Sequence, residues 1–497
     1  MSSSAPGAPP PTSAVFGGGD DTPAVVLEIG SYATRAGWAG DLSPEANILS
    51  SISVNTSDPA RASRFVGDHA VFTRRDDAEL IQPIRAGAVT NWDDAEAIWS
   101  QAFNQLGAVK GEDPLFMIEP SFAPPSFRNT LAEHMFETYS LPAFYVARDA
   151  VCAAFASHRA TALVVDIGAT KTTVTPVLDG IALRKAIAWQ PLGGDLLDAL
   201  ALHAVAKREV AFGVAPGEDQ AAASAATTGS PQRRTLRPGP NHTITPGYLV
   251  LDKRPTNAGQ PAQFKTRSFP NTHPSFHSFH QLRVAADWRQ SITAVPPSPL
   301  PSFSDTSAAG CAARAQAHTS LSVSAHGSQR LYEFPCGFND LYGGLERAVC
   351  GEVLFNPRDI LQAYGLPISY PTAGLPPSVS HTPGAESSNY LGLPELIERC
   401  LANVDVDNRA ALASHIALAG GCSAIDGLAS RLSAELGQRL QSFQQPRIIA
   451  EASPMDRRNM AWTGGSIVTS LSSFGTKWVS RAEWEESGHV ALNRRCV

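Results

Sequence analysis

Two short segments carry residue types that could grip a polyphosphate. Glu28-Ile29-Gly30 closes an apolar run in VVLEIGSYATRAGWAG, and Asp166-Ile167-Gly168 closes another in LVVDIGATKTTVTPVLDG, 138 residues further on. Each reads as a buried strand ending in an acid, a glycine turn and a return strand. A glycine turn lets backbone N–H groups approach phosphate oxygens with no side chain in the way. An acid ending each strand can hold Mg²⁺ through its waters, because Mg²⁺ dehydrates reluctantly. Two such hairpins facing each other would clasp phosphates from both sides. The plainer alternative is an internal duplication whose carboxylates only cap turns.

A third segment, HIALAGGCSAIDGLASRLSAEL, reads as strand, Gly420-Gly421 and helix. A glycine pair opening a helix offers free N–H groups and a positive dipole to a phosphate, or room for a nucleoside. A further pair, Gly464-Gly465 in AWTGGSIVTSL, reads as close backbone packing.

Positioning such turns needs a strand–helix scaffold. From Pro23 to about residue 210, short apolar runs alternate with helix-period segments, which predicts α/β architecture. In SFRNTLAEHMFETYS, residues Phe127, Leu131, Met135, Phe136 and Tyr139 share a helical face. LPELIERCLANV places Pro394 just inside a second helix whose apolar face holds Leu396, Ile397, Cys400, Leu401 and Val404. Residues 1–22 are too rich in Ser, Pro and Gly to bury a face and read as a disordered tail. Residues 211–330 read as a low-complexity insertion in which only GYLVLD and LRVAADWRQSITAV look able to order. His273, His277 and His280 read there as solvated loop side chains rather than metal ligands. A second such stretch spans 369–390.

Composition narrows the function classes. A net charge of −7, from 39 basic and 46 acidic residues, argues against a general polyanion-binding surface. No apolar run reaches the roughly 18 residues of a membrane span. Seven scattered cysteines without a CxxC pair fit neither a disulfide framework nor a zinc ribbon, and a reducing intracellular compartment is the simplest expectation. The N-terminal segment lacks the basic and apolar regions of a secretory signal.

Across residues 24–210 and 331–497 the sequence resembles the actin superfamily. The most specific stretches are VTNWDDAEAIW, MFETYSLPAFYVARDAV, YEFPCGFN and WTGGSIVTSLSSFGTKWVSRAEWEESG. IGSYATRAGWAG, DIGATKTT and YEFPCGFN resemble the nuclear actin-related protein 4 branch more than conventional actin. The resemblance implies the actin-like two-lobed ATPase fold of duplicated ribonuclease-H-like domains around a nucleotide cleft. It divides the chain into a first lobe of 23–160 plus 463–497 and a second of 161–210 plus 331–462. The 211–330 insertion falls in the second lobe.

By that resemblance Gly30, Ser31, Tyr32 and Arg35 match the first phosphate loop, and Asp166, Gly168, Ala169 and Thr170 the second. Gly420, Gly421 and Cys422 match the segment beneath the nucleoside, and Arg458 in MDRRNMAW a basic residue near the adenine. The implied ligands are ATP or ADP with Mg²⁺, the metal held through water by Glu28 and Asp166. Departures accompany the match. Glu28 replaces an aspartate and Tyr32 a glycine. Asp149 stands where actin has the glutamine that positions water, and Thr173 where actin has a histidine. Three carboxylates beside a triphosphate would repel it unless metal or protons intervene. Asp149 is therefore either a general base or, more simply, the partner of an arginine such as Arg148 or Arg159. Very slow or absent hydrolysis is the expectation.

The branch implies a structural subunit of chromatin-remodelling and histone acetyltransferase complexes, mainly nuclear with some cytoplasmic presence. There it would pair with nuclear actin on a scaffold helix, with histones as a further contact. The segment NTSDPARAS is too short for the loop that contacts the next subunit in an actin filament, so no self-filament is expected, and no membrane partner either. A groove lined by Phe155, His158, Val468, Leu471, Ser473 and Lys477 would accept the amphipathic scaffold helix, with His158 narrowing its floor. The competing classes are an active ATPase or phosphotransferase of the same superfamily and a cytoskeletal actin-related protein.

Overall fold

The computed structural model describes residues 23–55, 63–85, 87–207, 209–211, 236–238, 242–323, 328–371, 387–440 and 445–496. The N-terminal tail 1–22 lies outside these. Two sheets hold the two hairpins. In the first, the strands run Val479–Ser480, Ala143–Arg148, Leu115–Glu119, Val25–Glu28, Ala33–Trp38 and Ala46–Leu49, in that spatial order. Val25–Glu28 lies parallel to Leu115–Glu119 and antiparallel to its own return strand Ala33–Trp38. The second sheet repeats the plan. Ala162–Ile167 lies parallel to Ile416–Ala419 and antiparallel to Thr172–Leu178. Ile181–Ala182, Ala188–Gln190 and Ile448–Ile449 complete it. Strands covered on both faces need unbroken apolar runs, and Val25, Val26, Leu27, Leu163, Val164 and Val165 are all buried.

The helix Pro454–Ser470 runs between the sheets. It packs along the helix Asp149–Ala156 and touches both Val25–Glu28 and Ile416–Ala419. A Cβ on Gly464 would fall 1.7 Å from the Cys152 carbonyl oxygen, so the glycine is what allows this approach. Trp462 Nε1 donates to the Val26 carbonyl at 3.0 Å, tying the same helix to the first sheet. The chain then returns to the first lobe, where Val479–Ser480 pairs with Ala143–Arg148 and Arg128 donates to the Cys496 carbonyl.

Local expectations meet two refinements. The helix at Pro125–Glu133 widens into a π-helical turn at His134–Thr138, keeping Leu131, Met135, Phe136 and Tyr139 buried. The helix Leu393–Ala402 forms with Pro394 in its first turn. Strands Ile52–Asn55 and Ser63–Val66 pair directly, with Asn55 opposite Ser63, and residues 56–62 between them lie outside the described set. In the second low-complexity stretch, Ser369–Pro371 pairs with Ser387–Asn389, and 372–386 is likewise outside.

The reading of 211–330 as one low-complexity insertion needs correction over 242–323. The helix Pro274–Ile292 packs on the helix Gly194–Ala206 and buries Phe276, Ala285, Ala286, Trp288 and Ile292. Ile244 and Val295 join the same second-lobe core. A second helix spans Ala308–Val323. The stretch LRVAADWRQSITAV was legible as ordered, but Ser and His around Phe276 hid the first half of the helix and its place in the core. The three histidines are not solvated loop side chains. His273 caps the helix N-terminus, His277 Nδ1 meets the Tyr248 hydroxyl at 2.9 Å, and His280 packs on Phe276 and Tyr248. Among the described residues no group of His, Cys, Asp or Glu forms a metal cluster, and no helix is long and apolar enough to cross a membrane.

Candidate functional site

The two turns meet across a cavity of about 450 Å³. Thr170 Oγ1 and Ser31 Oγ lie 3.0 Å apart, so one hydroxyl from each turn bridges the gap. Gly30, Ser31, Tyr32 and Arg35 line one wall, and Asp166, Gly168, Ala169 and Thr170 the facing one. Gly420, Gly421, Cys422 and Arg458 line the same space, as do Glu28 and Asp149. Sequence reasoning thus named residues that the fold brings together. Thr173 is buried in the return strand instead and is not part of the lining.

The register of each hairpin decides its charge. Glu28 sits directly opposite Arg35, and Arg35 Nη1 donates to Glu28 Oε1 at 2.9 Å. Burial raises the Glu28 carboxyl above the ordinary range, and Arg35 opposes that rise. Asp166 sits opposite Thr173, which brings no charge. Burial, and then the nearby charge of Asp149, pushes the Asp166 carboxyl up to about 7.

Asp149 pairs with neither arginine proposed for it. Arg148 turns away to the Ser121 carbonyl (2.7 Å) and towards Glu119. The cation beside Asp149 is Lys171, with Nζ 3.7 Å from Oδ2. Asp149 Oδ1 accepts from the Ser121 backbone N–H at 2.9 Å, from the Ser121 hydroxyl and from the Ala150 N–H at 2.7 Å. Oδ1 thus takes three donors, while Oδ2 has only the ammonium beside it.

The Gly-Gly segment works differently from its sequence reading. The helix after it begins only at Leu428, beyond a 3₁₀ turn at Gly421–Ala424, so no long-helix dipole points into the cavity from Gly420. What matters is close approach. Gly420 has φ +85°, and a Cβ there would lie 2.3 Å from Asp166 Oδ1. The glycine lets this loop press against the second acid.

Other lining residues were missed. Lys171 immediately follows the second turn and is the one charge in ATKTT, which was the available signal. Arg289 and Asp198 form an ion pair at 2.5 Å, and Asp195 is pushed up to about 6 by burial and by Asp198. Arg289 comes from LRVAADWRQSITAV, legible as an ordered stretch but assigned to the insertion. Arg457 carried no signal apart from its neighbour Arg458.

Beside Tyr32, residues 72–80 and the segment 271–283 make direct contact. Arg283 donates to the Tyr32 hydroxyl and lies 5.5 Å over its ring. Phe72 packs on Phe279 and His280, the Asp77 N–H donates to the Asn271 carbonyl at 3.1 Å, and the Leu80 N–H to Ser275 Oγ at 2.8 Å. Tyr32, which fills a glycine's place in the resemblance, supplies the first-lobe half of this contact.

The groove residues lie on neighbouring elements. Phe155 is on the helix Asp149–Ala156 and Val468 on the helix Pro454–Ser470 packed against it. Leu471, Ser473 and Lys477 follow on the next turn and are exposed, as is His158. His158 adopts φ +58°, a left-handed conformation that costs a non-glycine residue roughly 1 kcal/mol.

A duplicated strand–turn–strand unit, two facing glycine turns and a central cavity define a two-lobed α/β protein with a cleft between its sheets. The actin family matches residues 19–497, and the chain belongs to that family. Its relatives include actin-related protein 4 of Schizosaccharomyces pombe, 31% identical over 97% of this chain and 99% of the relative. Actin-related protein 4 of Oryza sativa subsp. japonica and of Arabidopsis thaliana are each 30% identical, over 96% of this chain and 99% of theirs.

Proposed function

We propose that this chain is a nucleotide-bound, non-hydrolysing structural subunit of chromatin-remodelling and histone acetyltransferase complexes. In this reading it acts in the nucleus, seats a scaffold helix beside nuclear actin, contacts histones and forms no filament of its own. The family match and the near-full-length likeness to proteins named actin-related protein 4 support the assembly role.

The hydroxyl bridge between Ser31 and Thr170 carries the nucleotide half. Phosphates would lie against the backbone of Gly30 and Gly168, flanked by Arg35 and Lys171, with the nucleoside against Gly420-Gly421 and Arg458. Glu28 Oε2 is buried with no hydrogen-bond partner, an acceptor suited to a metal-bound water, and Asp166 stands opposite it. Mg²⁺, when bound, would neutralise phosphate charge there.

Hydrolysis needs a group that aligns or deprotonates water. Asp149 Oδ1 is taken by three donors and Oδ2 faces the Lys171 ammonium, and Thr173 offers no imidazole. Loaded with ATP, the chain should hold it intact in a single-turnover assay; phosphate release as fast as conventional actin's would overturn the non-hydrolysing reading. Affinity purification with mass spectrometry should recover remodeller and acetyltransferase subunits. Recovery of dynein or filament machinery alone would place the chain in the cytoskeleton instead.

A further inference from the structure

We propose that Lys171 is an in-chain counter-cation for the bound nucleotide, a phosphate-directed residue that lowers the cavity's demand for a divalent metal. The inference rests on the nucleotide reading above.

The second turn fixes where this side chain starts. The Gly168 N–H donates to the Lys171 carbonyl at 2.9 Å, which closes the turn and sends the Lys171 side chain into the cavity. Its ammonium is buried, with the side chain 9% exposed, and makes no hydrogen bond. Asp149 Oδ2 at 3.7 Å is within ion-pair range but beyond hydrogen-bonding range, and the Phe122 ring centroid is 4.2 Å away. An ammonium carries three donors and no acceptor, so burying it without a hydrogen bond is costly unless an anion completes the site.

The location suits that anion. Lys171 acts electrostatically on Glu28 and Asp166 as well as on Asp149, which places its charge among all three acids. Those acids would otherwise repel a polyphosphate and require metal to offset them. Arg35 already spends a donor on Glu28, whereas the Lys171 ammonium donates to no protein atom, so its donors are the ones left wholly to a ligand.

Calorimetric titration of the full chain with ATP, in excess Mg²⁺ and then in EDTA, tests this. Lys171→Met alone would strand Asp149, so the informative pair is Asp149→Asn alone and Lys171→Met with Asp149→Asn, which differ only in the Lys171 charge, both checked for native circular dichroism. Withdrawing Mg²⁺ should weaken ATP binding to the unaltered chain and to Asp149→Asn by less than about tenfold, and to the double variant by about a hundredfold more, the range spanned by charged hydrogen bonds. Lys171→Arg should keep the unaltered behaviour. Equal metal dependence in Asp149→Asn and the double variant would overturn the role of Lys171 and leave the nucleotide reading standing. No ATP binding in either buffer would overturn both.

Discussion

The two hairpins share a backbone plan and differ in what stands across from the acid. In the first, Glu28 faces Arg35 and the buried charge is answered within the hairpin. In the second, Asp166 faces Thr173, and the nearest help comes from Lys171 beyond the turn. The duplicated geometry therefore holds one carboxylate with a cross-strand cation and one without, and burial raises both. A repeated fold element copies the positions of backbone donors. It does not copy charge, which each cross-strand neighbour sets separately.

The sharpest way to break this contrast is to remove the first hairpin's answer. Arg35→Met should destabilise the nucleotide-free chain by about 3–5 kcal/mol in urea unfolding, the usual cost of stranding a buried partner. The equivalent change across from Asp166, Thr173→Val, removes at most a neutral hydroxyl's hydrogen bond and should cost less than about 1.5 kcal/mol. Similar losses would mean the two hairpins are electrostatically alike after all.

Close approach at the second acid can be tested next. Gly420→Ala places a methyl against Asp166 Oδ1 at a positive φ, and a loss of about 1–3 kcal/mol is expected. A neutral result would show that the loop does not need to press on that carboxylate.

The raised Asp166 carboxyl has a signed consequence. The folded chain retains the Asp166 proton up to about 7, whereas the unfolded chain releases it near 3.8. Between those values the native state binds more protons, so stability is greatest below the lower value and falls as pH rises through the upper one. The slope from this group is at most about 1.4 kcal/mol per pH unit. Urea midpoints from pH 4.5 to 8 in divalent-free buffer should decline more steeply for the unaltered chain than for Asp166→Asn. Parallel curves would remove Asp166 from the account.

The smallest expected effect lies at the first turn's outward contact. Tyr32→Phe removes the hydroxyl that accepts from Arg283 and should cost about 1 kcal/mol. It should also speed release of a fluorescent ATP analogue, because Tyr32 lines the cavity and Arg283 holds its hydroxyl. Unchanged release would confine the Tyr32–Arg283 contact to packing.

Much of the site was legible beforehand because its signals are local. A buried strand needs an apolar run, a tight turn needs glycine, and VVLEIG and LVVDIG state both within six residues. The Gly464-Gly465 contact was legible for the same reason. The helix Pro274–Ile292 was read only in part, since its capping histidine and polar first turns look like loop until Phe276, Ala285, Trp288 and Ile292 are seen to meet a core. Asp149 was placed correctly in the site and given the wrong partner.

The sequence by itself determined where the turns fall, which strands are buried and that the glycines and acids of those turns line the cleft, because each follows from side-chain type over a few neighbouring positions. Only the tertiary structure decided which cation answers which acid. Lys171 and Asp149 are 22 residues apart, and Arg283 reaches Tyr32 from 251 residues away. Coulombic interaction depends on distance through space and on burial, and neither quantity is written in the order of residues along the chain.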